Sequence, residues 1–547
     1  MNRSISFCSW NVRGLNDSIK CGNVLAELLS ALPDVVLLQE TKLQSISPFK
    51  LRSFLPRRLH GFSYNSSNGS AGGILTAWNS TTFTLVTSAS TPHTITSHLS
   101  TTSSDLSLFI TNVYAPTSPE FRPSFLEELA SISPNPSSPW LLLGDFNMIC
   151  YPHEKNNDNF HQSEVEAFND CINSMCLIEL PLIDRQYTWS NNCSTPTVER
   201  LDRAFINLAW DAILPNSIIS SLTRRTSDHV PLILNISTHI PKARLFRFEN
   251  CWVHRADFRD TVHSAWHCRT RNSDPAGVLA EKLKATKRAL KLWNKQHLNV
   301  NQQENDCHLV INLLDRIEEH RSLSIAEANL RSVIITVLSR TTRAKLLLWK
   351  QRAKIRAAVD GDENTRFFHA CANQRRRKNN IQVIEHDDRE VHGHGPKAAI
   401  LHDFYQDLLG ANRPIRWGFC LQQLYPEDSL SLTTLDGEFD QEEIMVAFRQ
   451  MNSNASPEPN GFGPLFFKHN WSCVREDIAK LFSAFYCHDL DLSRIDRSYL
   501  VLLPKKDGAH RPQDFRPIAL QNTTLKGISR VLMNRLQPII PSLISFD

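Results

Sequence analysis

The chain has 547 residues, beyond the reach of one ordinary core, so roughly three or four domains are expected. With 41% hydrophobic and 21% charged residues it has the composition of a soluble globular protein, which excludes wholesale disorder, and no apolar run approaches the length of a membrane span. A net charge of +4 is too small at this length to indicate nucleic acid by itself, so the location of charge matters more than its sum.

The first residues, MNRSISFCSWNVRG, lack the apolar core of a signal peptide. Thirteen cysteines are scattered singly, with no C-x-x-C pair and no zinc-like spacing, and read as reduced thiols of an intracellular protein. From Ser4 to about Ile236, short apolar runs alternate with Ser, Thr, Asn, Pro and Gly. Strands are predicted at Ile5–Trp10, Val35–Leu38, Gly73–Trp78, Leu108–Val113, Trp140–Leu143, Tyr187–Trp189, Asp202–Phe205 and Val230–Asn235. Helical spacing intervenes at Cys21–Leu32, Pro123–Ser131 and Ser163–Met175, so the region reads as an α/β sandwich.

Beyond Pro241 the texture changes. Residues 257 to 373 are almost free of proline and glycine and show helical apolar repeats, which predicts long antiparallel helices. Basic residues crowd there in KLKATKRALKLWNK, RTTRAKLLLWKQRAKIR and NQRRRKNN, either as a solvated helix face or as nucleic-acid contacts. The RRRK at 375 to 378 fits a nuclear import signal and hence a nuclear location. A third texture starts near Phe439. The expected domains are therefore 1–238, a basic helical linker at 239–438, and 439–547.

Several polar residues close predicted strands: Asn11 after ISFCSW, Glu40 after DVVLLQ, Tyr114 after LFITNV, and Asp145 with Asn147 after WLLLG. In a mixed sheet such ends gather along one edge, where loops leave room for a ligand. Asp202 in ERLDRAF and the pair Asp228–His229 in SDHVPLIL complete a set suited to metal-assisted phosphodiester hydrolysis. A hard cation such as Mg²⁺, with Mn²⁺ as its substitute, takes oxygen ligands and needs few carboxylates when substrate phosphate completes its shell. Glu40 is the natural ligand, Asp145 the base that activates water, and Asn147 the amide that holds water or phosphate. His229, polarised by Asp202, would donate hydrogen bonds to phosphate oxygens as charge develops. Each residue alone is more often an ordinary turn or loop residue; the weight lies in their conjunction and order.

The series WNVRG, LLQET, GGI, NVYAP, LLLGDFN, YTWSN, RLDRAF and SDHVPLIL resembles the endonuclease/exonuclease/phosphatase superfamily, and more narrowly the endonuclease domain of plant LINE-type (non-LTR) retrotransposon polyproteins. FRFENCW at 246 and GDENTRFFH at 361 resemble the linker of those elements, and LLPKKDGAHRPQDFRPIAL resembles the start of their reverse transcriptase fingers. The resemblance implies a four-layer sandwich of two mixed sheets flanked by helices, followed by a mainly helical linker and an incomplete fingers region. It implies metal-dependent nicking of one strand of double-stranded DNA, leaving a 3′ hydroxyl that primes copying of element RNA. Where the charge of the basic linker is a nucleic-acid contact and not a solvated face, that RNA is its expected partner.

By the same resemblance Asn11, Glu40 and Asp228 belong to the metal site, while Asp145, Asn147, Tyr114, Asp202 and His229 carry the chemistry. Thr188, Lys505, Lys506 and Arg516 would contact substrate. The family's Pro-Gly-Pro-Asp-Gly segment departs here, with Glu458 for glycine and Asn460 for aspartate, and strain is expected at Glu458 if the backbone needs a positive φ. The palm motif with its metal-binding carboxylates does not occur, so no polymerase activity is expected. Two rivals remain: a phosphomonoesterase or repair nuclease of the same fold, and a non-catalytic nucleic-acid-binding remnant.

Overall fold

The structure is a computed structural model that describes residues 5–69, 72–103, 106–182, 184–236, 245–296, 300–353, 365–410, 435–455, 458–506 and 508–543. Part of the GDENTRFFH segment falls outside them. The chain forms two compact units. The first comprises residues 1–242 with 369–405 and 504–515, and the second comprises 243–368 with 406–503 and 516–547.

The first unit is built on strands β1 (Ile5–Asn11), β2 (Val35–Gln39), β3 (Leu59–Asn65), β4 (Ile74–Asn79), β5 (Phe83–Ser90), β6 (Thr94–Thr101), β7 (Ser107–Tyr114), β8 (Trp140–Asp145), β9 (Ile178–Glu179), β10 (Trp189–Ser190), β11 (Val198–Glu199), β12 (Asp202–Ile206), β13 (Ile218–Ser221) and β14 (Leu232–Ile236). They make two six-stranded sheets, ordered β13-β14-β1-β2-β4-β3 and β5-β6-β7-β8-β12-β9. Each sheet is mixed and carries a parallel pair, β1 with β2 and β7 with β8. The two mixed sheets flanked by helices and followed by a helical region are thus present as expected.

Strand parity explains the layers. On β1, β2 and β8, Phe7, Val35, Leu37, Leu141 and Leu143 point into one core between the sheets. Their alternates Cys8, Val36 and Leu38 pack in the cluster that also holds Val24, Leu28 and Phe54, from helices Ser18–Ala31 and Pro48–Phe54. Trp140 and Leu142 pack outward with Phe125, Leu129 and Phe168, from helices Arg122–Ser131 and Gln162–Ser174. Between the sheets lies a buried polar pair that the sequence reading missed: Gln39 Nε2 donates to Asn112 Oδ1 at 2.7 Å and to Ser9 Oγ at 3.0 Å. Both residues occupy inward positions of otherwise apolar strands, the one signal that marks them.

Later residues complete this unit. The helix Thr365–Lys378 uses its basic run internally: Arg377 pairs with Asp211 at 2.7 Å, and Arg376 donates to the Pro215 carbonyl at 2.6 Å. Two members of the import-like RRRK run are therefore committed to packing. EHDDRE at 385 to 390 is a tight hairpin whose turn residues Asp387 and Asp388 take φ of 50° and 57°.

The second unit is helical. Pro275–Gln296, Val300–Glu318 and Ile325–Ala353 are its longest helices, and the last two pack along each other as the basic texture predicted. One aromatic core joins Phe248, Trp252, Phe258, Trp266 and Trp293 to Phe448, Phe462, Phe466 and Phe482, so it runs through the change of texture at Phe439. Glu458 is absent from the residues with positive φ; Gly461, at 88°, takes that conformation instead. The Glu458 carboxylate accepts from the Thr523 hydroxyl at 2.7 Å and its backbone N–H, at the start of helix Thr523–Leu536, and pairs with Lys526 at 2.9 Å. The expected strain is thus replaced by a carboxylate placed where a helix N-terminus favours negative charge. Among the described residues, no helix is long and apolar enough to cross a membrane, and the described cysteines are free.

Candidate active site

The parity that builds the core also builds the site. Asn11 continues the inward series of Phe7, Asp145 that of Leu141 and Leu143, Tyr114 that of Leu108 and Ile110, and Asp202 that of Ala204 and Ile206. Each is the end residue of its strand, so each stands where the apolar filling stops. Asp145 pairs in register with Tyr114 on one side and Asp202 on the other. Gly144 makes this possible: a Cβ there would lie 2.0 Å from the Val113 carbonyl oxygen, so only glycine lets β8 approach β7 this closely.

Asp145 is almost fully buried and held from several directions. Asn11 Nδ2 donates to its Oδ2 at 2.9 Å, and the Asn147 backbone N–H to its Oδ1 at 3.0 Å. Asn147 takes φ of 48°, a left-handed turn that carries its amide back toward Asp145, and its Nδ2 donates to the Ala115 carbonyl at 2.8 Å. His229 Nδ1 lies 2.9 Å from Asp202 Oδ2, and its Nε2 lies 3.7 Å from Asp145 Oδ2. Burial raises the Asp145 pKa to about 6, with Asp202 adding to the shift against the pull of His229, Asn11 and the Asn147 N–H. Burial alone would lower the His229 pKa, but the carboxylates of Asp202 and Asp145 override it and raise the value to about 9.

Glu40 belongs to the same neighbourhood. Its charge acts on both His229 and Tyr114. Burial, then Glu40 and Asp145, push the Tyr114 phenol upward and keep it protonated. Asp228 accepts from Trp189 Nε1 at 3.0 Å and pairs with Arg13, while Ser227 Oγ donates to the Asn11 carbonyl at 2.7 Å. Thr188 is fully buried, and its hydroxyl oxygen accepts the backbone N–H groups of Leu201 and Asp202, each at 3.0 Å. Buried there, its hydroxyl oxygen positions the start of the strand that carries Asp202. Sequence reasoning missed Arg203, fully buried behind Asp202, which donates to Glu154 at 3.1 Å and pairs with Glu179 at 2.8 Å.

The remaining expected residues are not gathered here. The Lys505 ammonium donates to the Gln513 carbonyl at 2.7 Å and Lys506 pairs with Asp514 at 2.9 Å, both within their own turn. Arg516 is exposed on the strand Phe515–Leu520.

The donor set fits a hard divalent cation. Asp145, Asp202 and His229 bring ligand atoms within 4.8 Å of one another, and Asp202 Oδ1 is buried without a hydrogen-bond partner. Glu40 and Asp228 each face a cationic side chain, Lys42 at 3.0 Å and Arg13 respectively, which supplies the positive charge these carboxylates attract. Asn11 is already engaged, its Oδ1 accepting from the Arg13 N–H at 3.0 Å, which leaves one lone pair for a further partner.

Residues 8–229 match the sequence profile of the Endonuclease/Exonuclease/phosphatase family. That stretch covers most of the two sheets, β14 lying beyond it, and includes Asn11, Glu40, Tyr114, Asp145, Asn147, Asp202 and His229. The chain is also 23% identical over 474 residues to the Transposon TX1 uncharacterized 149 kDa protein of Xenopus laevis, a match covering 82% of this chain and 36% of that relative. The chain thus spans about a third of the length of this curated relative. Similar solved structures include the AP endonuclease LMAP from Leishmania major, at 18% identity and a TM-score of 0.36, covering 43% of this chain and 88% of that one. The endonuclease domain of TRAS1, a telomere-specific non-LTR retrotransposon, gives 14% identity and a TM-score of 0.33, covering 42% and 98%.

Proposed function

We propose that the two-sheet unit is a Mg²⁺-dependent endonuclease of a non-LTR retroelement of the plant LINE type, nicking one strand of double-stranded DNA to leave a 3′ hydroxyl that primes reverse transcription of RNA. The reading rests above all on one observation, the buried Asp145–His229–Asp202 cluster with Asn11 and Asn147 fixing the Asp145 carboxylate. Such a work site is in the nucleus.

Glu40, with Asp228 and the free lone pair of Asn11, would hold the cation, which when bound offsets negative charge on the phosphate and these carboxylates. The protein's own residues do the rest. Asp145, with a pKa near 6, is ionised at neutral pH yet basic enough to take a proton from the attacking water. Asn11 and the Asn147 N–H keep it in one orientation. His229, held protonated by Asp202, donates from Nε2 to the phosphate oxygen that gains charge. Tyr114 adds a neutral O–H donor beside Glu40. The β10–β11 hairpin, with Ser, Thr and Asn between its strands, suits insertion into a DNA groove better than enclosure of a small ester.

The test is supercoiled plasmid with the full chain and Mg²⁺. Relaxed circles that vanish with chelator and in Asp145→Ala support the reading. Plasmid left supercoiled while small phosphomonoesters release phosphate would replace it with the esterase alternative.

A further inference from the structure

The helix Pro275–Gln296 buries Leu279, Leu283, Leu290 and Trp293 and so leaves its other faces to polar side chains. Those faces are treated unequally. Lys282 is neutralised by Asp477 at 2.7 Å, and Glu281 accepts from the Arg271 N–H and the Asn272 amide. Lys284, Lys287, Arg288 and Lys291 have no ion-pair partner among the described residues, although their spacing of three and four stacks them along one stripe. Two of these contacts, Lys284 with Arg288 and Lys287 with Lys291, are like-charge i,i+4 pairs, which destabilise an isolated helix. Lys287 does not escape into solvent; its ammonium lies 5.4 Å from the centre of the Phe246 ring, and burial with the charge of Lys291 makes it less basic.

The stripe lines a groove of about 440 Å³ together with Leu283, Asn460, Ile495, Asn522 and Thr524. Glu458, bonded to Thr523 next to this lining, is buried and also pairs with Lys526, so its own charge is met within the fold. A groove lined by four cations without an ion-pair partner among the described residues and by apolar Leu283 and Ile495 matches the backbone and base faces of a single nucleic-acid strand. We propose that this groove is a single-strand nucleic-acid track, with Lys284, Lys287, Arg288 and Lys291 on successive phosphates. It deepens the RNA-copying part of the function proposed above and rests on that reading for which nucleic acid occupies it.

Fluorescence anisotropy of the full chain with labelled oligouridylate and oligothymidylate of equal length, across a salt titration, tests it. Counterion release gives about 0.7 in the slope of log K against log salt for each phosphate contacted on a single strand, so K284Q/K287Q/R288Q/K291Q should lower the slope by about three and weaken binding at least tenfold. Lys291→Arg should bind as the unaltered chain does. If the fourfold variant does not fold, R288Q and K291Q singly should each remove about 0.7 of slope. The preference for ribose or deoxyribose then names the strand. Unchanged affinity and slope in the variants would overturn the track. An unaltered chain that nicks plasmid but binds neither oligonucleotide would overturn it and leave the nuclease standing. Binding that disappears with the stripe in a chain that never nicks would sink the nuclease reading alone.

Discussion

The two units treat polar side chains by opposite rules. In the sandwich, Asp145, Asp202, His229, Arg203 and Gln39 are nearly sealed from water, and each is met by a specific partner within the fold. In the helical unit the sealed volume is aromatic, while Lys284, Arg288 and Lys291 of the Pro275–Gln296 stripe stand at the surface without an ion-pair partner among the described residues. A buried charge that loses its partner is stranded in low dielectric, whereas an exposed cation that is removed costs the fold almost nothing. Substitutions in the first unit should therefore be read in rate and stability, and those on the stripe in binding.

The largest expected effect is catalytic. His229→Ala removes the donor aimed past Asp145 and should lower the nicking rate by about a thousandfold, the range seen when an oxyanion donor is lost. Oligonucleotide binding by the same variant should be unchanged; a joint loss would mean that the units do not separate as described. Next comes stability. Arg203→Ala leaves Glu154 and Glu179 behind Asp202 without their buried counter-ion and should cost about 3–5 kcal/mol in a denaturant melt. Lys291→Ala should change the same melt by less than about 0.5 kcal/mol. Comparable losses would erase the contrast.

Acidity sharpens it further. Asp145 must be ionised to accept a proton, so the rate should fall as pH drops through about 6, and His229 must be protonated to donate, so it should fall again as pH rises through about 9. Stability follows a stated sign. The folded pKa of His229 lies above its ordinary 6.5, so its contribution is complete below 6.5 and is lost as pH rises through about 9. His229→Gln should flatten that part of a melting-temperature profile and remove the alkaline limb of the rate. Oligonucleotide binding on the stripe should show neither limb.

Much of the site was legible because strand parity is written in the sequence. Asn11, Tyr114, Asp145 and Asp202 each sit an even number of residues from an inward apolar side chain, so a reader who counts by two places them on one inner rim. The same count would have found Gln39 and Asn112. It could not find Arg203, whose partners Glu154 and Glu179 come from distant segments and meet it only after folding. The strands Phe83–Ser90, at the sheet edge, and Thr94–Thr101 beside it escaped because Ser and Thr blur their apolar alternation. In the helical unit the change of texture near Phe439 marks local propensity, and propensity does not say which faces meet; Phe248 and Phe466 pack together, their ring centres 5.6 Å apart.

A smaller effect on stability than that of Arg203 concerns a buried acid that helps to organise the helical unit. Glu458 looked like damage, a side chain where the resembling family has glycine. Its carboxylate instead takes the first N–H of helix Thr523–Leu536 and the Lys526 ammonium, and burial raises its pKa against the pull of these partners. Glu458→Gly restores the family's residue but removes the acceptor, so it should lower stability by about 1–3 kcal/mol, the cost of leaving buried donors unmet. A variant as stable as the unaltered chain would mean that water replaces the carboxylate there, and that the helical unit, unlike the sandwich, tolerates an orphaned donor.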